Sequence, residues 1–143
     1  MAEPVKTRRW LRISEELSLP VLEVCGSVPG PRLVVSAGVH GDEYEGVRAL
    51  YELFEEVVLS RGTLTLAPVV NPQAHRAVSR VNPVDGANLA RVFPGAVDGS
   101  ISSRIAFAVA QSLIATADFY IDLHSGGVKY AMPAMAGYWL GDA

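Results

Sequence analysis

The stretch between residues 33 and 70 leaves this chain few folds to choose from. An apolar run, Leu33-Val34-Val35-Ser36-Ala37, has the length and the β-branched content of a buried strand. It passes into Gly38-Val39-His40-Gly41-Asp42-Glu43 and then into a pattern with apolar residues at Val47, Leu50, Tyr51, Phe54, Val57 and Val58. Steps of three and four residues predict an amphipathic helix over 45–60. Its other face, with Glu52, Glu55 and Glu56, is expected in solvent. Residues 63–70 read as a second apolar strand, after Arg61-Gly62 closes the helix. Strand, helix and strand in that order require a parallel, right-handed crossover, which makes the class α/β.

The turn between the first strand and the helix carries the chemistry. In an open α/β sheet, ligands bind beyond the carboxyl ends of the strands, and His40 and Glu43 stand there. An imidazole and a carboxylate three residues apart can reach one metal ion if a third ligand arrives from elsewhere. A second strand-like run, Phe119-Tyr120-Ile121-Asp122-Leu123, ends on His124. Two histidines and one glutamate, with a fourth position left for water, make a catalytic zinc shell. Gly38 and Gly41 clear space around His40. Zinc, one Zn2+ per chain, is preferred over iron because nothing in the sequence points to redox chemistry. A purely structural zinc is the weakest reading, since such sites are closed by four protein ligands. Alternation puts Asp122 on the same face as His124. It either holds that histidine from behind or caps a neighbouring loop. The third histidine, His75, reads as incidental.

The remaining segments frame this site. Residues 1–18 are a polar, mixed lead-in, read either as a strand or as loose chain. Residues 19–24 read as a strand, with Pro20 near its start pointing to an edge position, and residues 26–31 as a Gly/Pro turn. Residues 71–101 break every period. A connection that long is usually either functional or disordered, and this one carries Arg76, Arg80, Asn82, Asp85, Asn88 and Arg91, so it is expected to be an ordered substrate loop. Arg80 and Arg91 are the candidate substrate contacts. A guanidinium offers a planar fork to a carboxylate, or a positive charge beside a developing oxyanion. The plainer alternative is that these arginines pin the loop to carboxylates such as Asp85. Ser102 or Ser103 is expected to cap a helix running to about residue 116. Residues 118–123 are expected to form a third central strand, and 130–140 an apolar, aromatic end.

With 143 residues, the chain is long enough for one domain with a real core, expected to span 1–143. The formal charge is −3 and no basic block appears, so nucleic acid is not an expected partner. The most apolar region, 105–121, is interrupted by Gln111, Ser112, Thr116 and Asp118, which excludes a membrane span there. Met1 to Arg12 has basic residues with no apolar stretch behind them, unlike a signal peptide. Cys25 is the only cysteine and is expected to be a small buried residue; its solitude suits a reducing cytoplasm.

Four ordered motifs carry a resemblance. They are Gly38-Val39-His40-Gly41-Asp42-Glu43; Asn71-Pro72 with Arg80 further on; Asn88-Leu89-Ala90-Arg91-Val92-Phe93-Pro94-Gly95; and Asp122-Leu123-His124-Ser125-Gly126-Gly127. Over about residues 30–135 the chain resembles the amino-terminal part of the succinylglutamate desuccinylase/aspartoacylase family, which is related to zinc carboxypeptidases. The resemblance implies a mixed, mostly parallel central sheet with helices on both faces, here truncated. It implies His40, Glu43 and His124 as zinc ligands, and Arg80 as the group that polarises the scissile carbonyl. Arg91 would hold a substrate carboxylate, with Asn88 and Asn71 among the substrate-binding residues. The implied reaction is attack of metal-activated water on the amide of a small N-acylated amino-acid-like substrate.

Ala90 stands where many members have an asparagine that helps hold the substrate carboxylate, and Asn88 where relatives often have an aspartate. The family's general base is a glutamate well beyond the third metal ligand, and no carboxylate here is assigned that role. The expectation is therefore a fragment or short product, with an open sheet edge that favours homo-oligomers. Two rivals remain. One is a zinc carboxypeptidase acting on peptides; the other is a non-catalytic metal- or ligand-binding module.

Overall fold

A computed structural model describes residues 4–138. Five strands form one mixed sheet: β1 (Val5–Arg12), β2 (Ser18–Cys25), β3 (Val28–Ser36), β4 (Arg61–Ala67) and β5 (Phe119–Asp122). Their order across the sheet is β1-β2-β4-β3-β5. The β1–β2 and β2–β4 pairs are antiparallel, while β3 is parallel to both β4 and β5. Helix α1 (Tyr44–Glu56) joins β3 to β4, and α3 (Ile101–Ser112) leads into β5. The short α2 (Pro72–Arg76) lies in the segment between them.

Strand alternation sorts the core into two layers. Val34 and Val21 pack with Ile105 and Val109 of α3 and with Leu113 just past its end. Val35 and Leu22 pack with Val47, Leu50 and Phe54 of α1. Each helix thus covers one face of the sheet, as expected, and the inner strands read as nearly continuous apolar runs because both faces are buried. The connections leaving β3 and entering β5 use opposite faces. A crevice therefore opens at the carboxyl ends of these two neighbours, where ligands bind in such sheets.

Several boundaries differ from the sequence expectation. Of the two readings of the first residues, the structure has the strand, over residues 5–12. The pairing gives β2 two neighbours, so Pro20 does not mark an edge. Pairing with β4 begins only at Leu22, which leaves the proline where a missing N–H costs no bond on that side. Pro29, Gly30 and Pro31 belong to β3, across an irregularity in its register. Helix α1 stops at Glu56, before two β-branched residues, where the Val57 N–H donates to the Leu53 carbonyl. Arg61 and Gly62 already belong to β4. Gly62 has φ +78, and a Cβ there would lie 2.4 Å from the Pro31 carbonyl oxygen, so this glycine serves strand approach rather than helix closure. Within the described residues β5 is an outer strand, not a central one.

The long segment 71–101 is ordered by its own polar groups. The Asn71 Oδ1 accepts from the Ala74 N–H and from the Asn82 amide, and Asn82 also donates to Gln73. Leu89 is fully buried in the α3-side core. The cap of α3 is Ser100 rather than Ser102 or Ser103: its hydroxyl oxygen faces the Ser103 N–H. Asp85 then accepts from the Ser102 N–H and from the hydroxyls of Ser100 and Ser102. The apolar end expected over 130–140 is described only to Tyr138 and has no regular structure there. Among the described residues, no helix is long and apolar enough to cross a membrane.

Candidate metal centre

The register of β3 and β5 explains why residues 84 apart meet. Ser36 pairs with Asp122, so these parallel strands end side by side on one rim. His40 follows the first and His124 the second. The turn between β3 and α1 folds tightly because its glycines permit it. Gly38 has φ +64, and a Cβ on Gly41 would sit 2.0 Å from the Ala74 carbonyl carbon. Glu43 occupies the position before the first turn of α1 but makes no side-chain cap. Its carboxylate turns into the crevice instead, beside the partial positive charge of the helix start.

Glu43 is 2% exposed and its two oxygens gather the site. Oε1 lies 2.9 Å from His40 Nδ1 and accepts from the Arg80 guanidinium at 3.2 Å. Oε2 lies 2.9 Å from His124 Nδ1 and accepts from the Ser125 N–H at 3.2 Å. Ligand atoms of His40, Glu43 and His124 all lie within 4.8 Å of one another. The outer ring nitrogens are held as well. His40 Nε2 is 3.1 Å from the Asn88 Oδ1, and His124 Nε2 is 2.8 Å from the Asp122 Oδ2. Both outer partners are acceptors, so each Nε2 carries a proton and each Nδ1 faces inward. Two inward imidazole nitrogens and one carboxylate oxygen, open on the side of the half-exposed Arg80, fit a zinc ion.

The electrostatics agree with that fit. The Asp122 hydrogen bond pushes the His124 pKa up to about 9; burial opposes the rise, and the charges of Asp122 and Glu43 add to it. Without metal, His124 therefore holds a second proton toward Glu43, and a cation would take that proton's place.

The other expected residues are placed as follows. Asp122 holds His124 rather than capping a loop. Arg80 pairs with Glu43 and not with Asp85. Arg91 is exposed at the end of a 3-10 turn, Leu89–Arg91, whose first free N–H, that of Ala90, donates to Asn88. Asn88 Oδ1 thus touches both a histidine and the turn that carries Arg91. Asn71 is fully buried, and its amide is spent on Ala74, Asn82 and Val39. His75 stacks edge-on against Tyr44, outside the cluster. A cavity of about 400 Å3 opens on His124 and is lined by Val39, Ala90, Phe93, Ile114 and Tyr120. Sequence reasoning missed Ser36 and Tyr120, which continue the hydrogen bonding behind Asp122. The only signal was a lone hydroxyl in the run 33–37.

The family described as the succinylglutamate desuccinylase/aspartoacylase catalytic domain matches residues 29–141. An N-alpha-acetyl-L-2,4-diaminobutyric acid deacetylase from Halomonas elongata is 39% identical over 117 residues, covering 80% of this chain and 34% of that protein. An aspartoacylase family protein from Mesorhizobium loti superposes with a TM-score of 0.76 at 34% identity, covering 87% of this chain and 41% of its own. The product-bound ectoine utilization protein EutE (DoeB) from Ruegeria pomeroyi superposes with a TM-score of 0.74 at 32% identity, covering 88% and 41%. The chain spans about a third of the length of the curated relative. By motif, fold and extent of match, the chain belongs to the succinylglutamate desuccinylase/aspartoacylase catalytic-domain family.

Proposed function

We propose that this chain carries the metal centre of a zinc-dependent deacylase, which hydrolyses the amide bond of a small N-acylated amino-acid-like substrate. The observation that carries the reading is the convergence of His40 Nδ1, His124 Nδ1 and a Glu43 oxygen at the carboxyl ends of β3 and β5. Zinc held by these three side chains supplies the Lewis acidity that makes water a nucleophile near neutral pH. The Arg80 guanidinium, fixed at the mouth by Glu43, stabilises charge growing on the carbonyl oxygen. Arg91 offers its fork to the substrate carboxylate. Asn88 fixes the ring of His40, Asp122 fixes that of His124, and Asn71 keeps the turn into α2 in shape. The apolar cavity beside His124 takes the acyl group. The relative from Halomonas elongata, named for removing an acetyl group, supports a short acyl chain. A cytoplasmic location fits the single free thiol, Cys25.

Metal analysis of the protein should return one zinc per chain, and His40→Ala or His124→Ala should abolish it. N-acetylated diamino acids and other N-acyl amino acids should be hydrolysed in a chelator-sensitive way, while peptides with free carboxyl ends should not; with no carboxylate of this chain assigned as general base, turnover should lie about 10²–10⁴-fold below that of a deacylase that has one. Absence of stoichiometric zinc refutes the reading. Preferential cleavage of the peptides would assign a carboxypeptidase instead.

A further inference from the structure

We infer that Ser36 is a positioning residue for His124, acting through Asp122, with Tyr120 as the next link. The inference rests on the zinc reading of the site. Asp122 has two oxygens with different tasks. Oδ2 faces His124 Nε2 at 2.8 Å, and Oδ1 accepts from the Ser36 hydroxyl at 2.5 Å. The Ser36 oxygen in turn lies 2.7 Å from the Tyr120 hydroxyl. A carboxylate only accepts, so the Ser36 proton is committed to Asp122, and Tyr120 must donate to Ser36. All the donors of this chain point toward the carboxylate. Aligned hydrogen bonds polarise one another, and here they hold the Asp122 carboxylate in the orientation in which Oδ2 meets His124 Nε2.

Exposure shows why the far end matters. The side chains of Asp122 and His124 are 26% and 35% exposed, so water competes for both and the carboxylate is otherwise free to turn. Ser36 is 1% exposed, in the interior of the sheet. It is the anchor that water cannot reach. It also pairs directly with Asp122 in the β3–β5 register, so it ties together the strands that deliver His40 and His124. A buried serine in an apolar strand costs desolvation unless its hydroxyl is satisfied, and here a tyrosine and a carboxylate satisfy it.

The test is a cycle of variants read by zinc affinity, measured in competition with a chromophoric chelator. Replacing groups that hold metal-ligating histidines weakens metal binding about 10–100-fold, so Asp122→Ala should fall in that range. Ser36→Ala, one bond further out, should weaken binding about 5–10-fold, and Tyr120→Phe less, both scaled down from the same range. Ser36→Thr, which keeps the hydroxyl, should restore affinity to within about 2-fold of the parent. In the Asp122→Ala background, Ser36→Ala should add nothing. A Ser36→Ala protein that melts earlier but binds zinc with parental affinity overturns the inference, as does an equal loss in both backgrounds. If the parent binds no zinc, the metal reading fails by itself. Ser36 is then decided in the metal-free protein by the His124 Nε2–H signal in a 15N spectrum. That signal should broaden through faster exchange in Ser36→Ala, and an unchanged signal overturns the inference.

Discussion

Without metal, the protein should owe part of its stability to a charged His124, and this part should vanish in alkali. The Asp122 hydrogen bond raises this imidazole from 6.5 in the unfolded chain to about 9 in the fold. A group whose folded pKa is raised stabilises fully below the unfolded value and loses its contribution as pH climbs through the folded one. The window therefore runs from about pH 6.5 to about pH 9. The full shift corresponds to at most about 3 kcal/mol. The His124 side chain is 35% exposed, so solvent screening reduces the figure to about 1–2 kcal/mol. In a chain of this size that is about 3–7 °C in Tm. The perturbation is Asp122→Asn, which keeps the shape and removes the charge. Thermal melts of chelator-treated protein at pH 6 and pH 9.5 give the parent's loss, and the variant should lose about 1–2 kcal/mol less than the parent. Parallel pH profiles for parent and variant would refute the argument. The same linkage makes zinc affinity rise with pH across this window, since the ion must displace a proton.

Other consequences follow from the same geometry. Asp85→Ala should cost about 1–2 kcal/mol in urea melts, because it removes the acceptor for three groups at the start of α3. Burial alone would raise the Asp85 carboxyl, but the bonds from Ser102, Ser100 and Ala87 outweigh it and hold the pKa below 3.8, so this stability should persist until pH falls below that value. Leu89→Ala empties a fully buried position that ties the segment carrying Asn88 and Arg91 to the core; chemical denaturation should show a loss of about 2–4 kcal/mol. Gly41→Ala drives a Cβ into the backbone of Ala74, so zinc titration should show much weaker binding even where circular dichroism shows a folded chain. Arg80→Ala should leave zinc stoichiometry intact and lower kcat about 100–1,000-fold if the guanidinium stabilises the oxyanion.

The elements that organise the site were legible because their signals are local or periodic. Val34 and Val35 look alike in the sequence, yet they serve opposite cores, as alternation in a doubly covered strand requires. His40 and His124 could be matched because each follows an apolar run, and parallel neighbours finish on one rim. What escaped depends on partners far away in the chain. Pro20 signalled an edge, but where β4 begins to pair decided its environment. Gly62 resembles a helix terminator until the Pro31 carbonyl is placed against it. Asn71 carries the polarity of a ligand contact, and only burial shows its amide spent on the fold. Ser36 was invisible because a serine in a strand acquires meaning from the residue across the register, 86 positions away.

The most direct test of the metal centre is a crystal of the protein grown with zinc, with anomalous diffraction recorded at the zinc edge. One strong peak should lie about 2.0–2.2 Å from the Nδ1 atoms of His40 and His124 and from a Glu43 oxygen, with both Nε2 atoms still held by Asn88 and Asp122. A peak bound elsewhere, or no peak between those three side chains, would contradict the account.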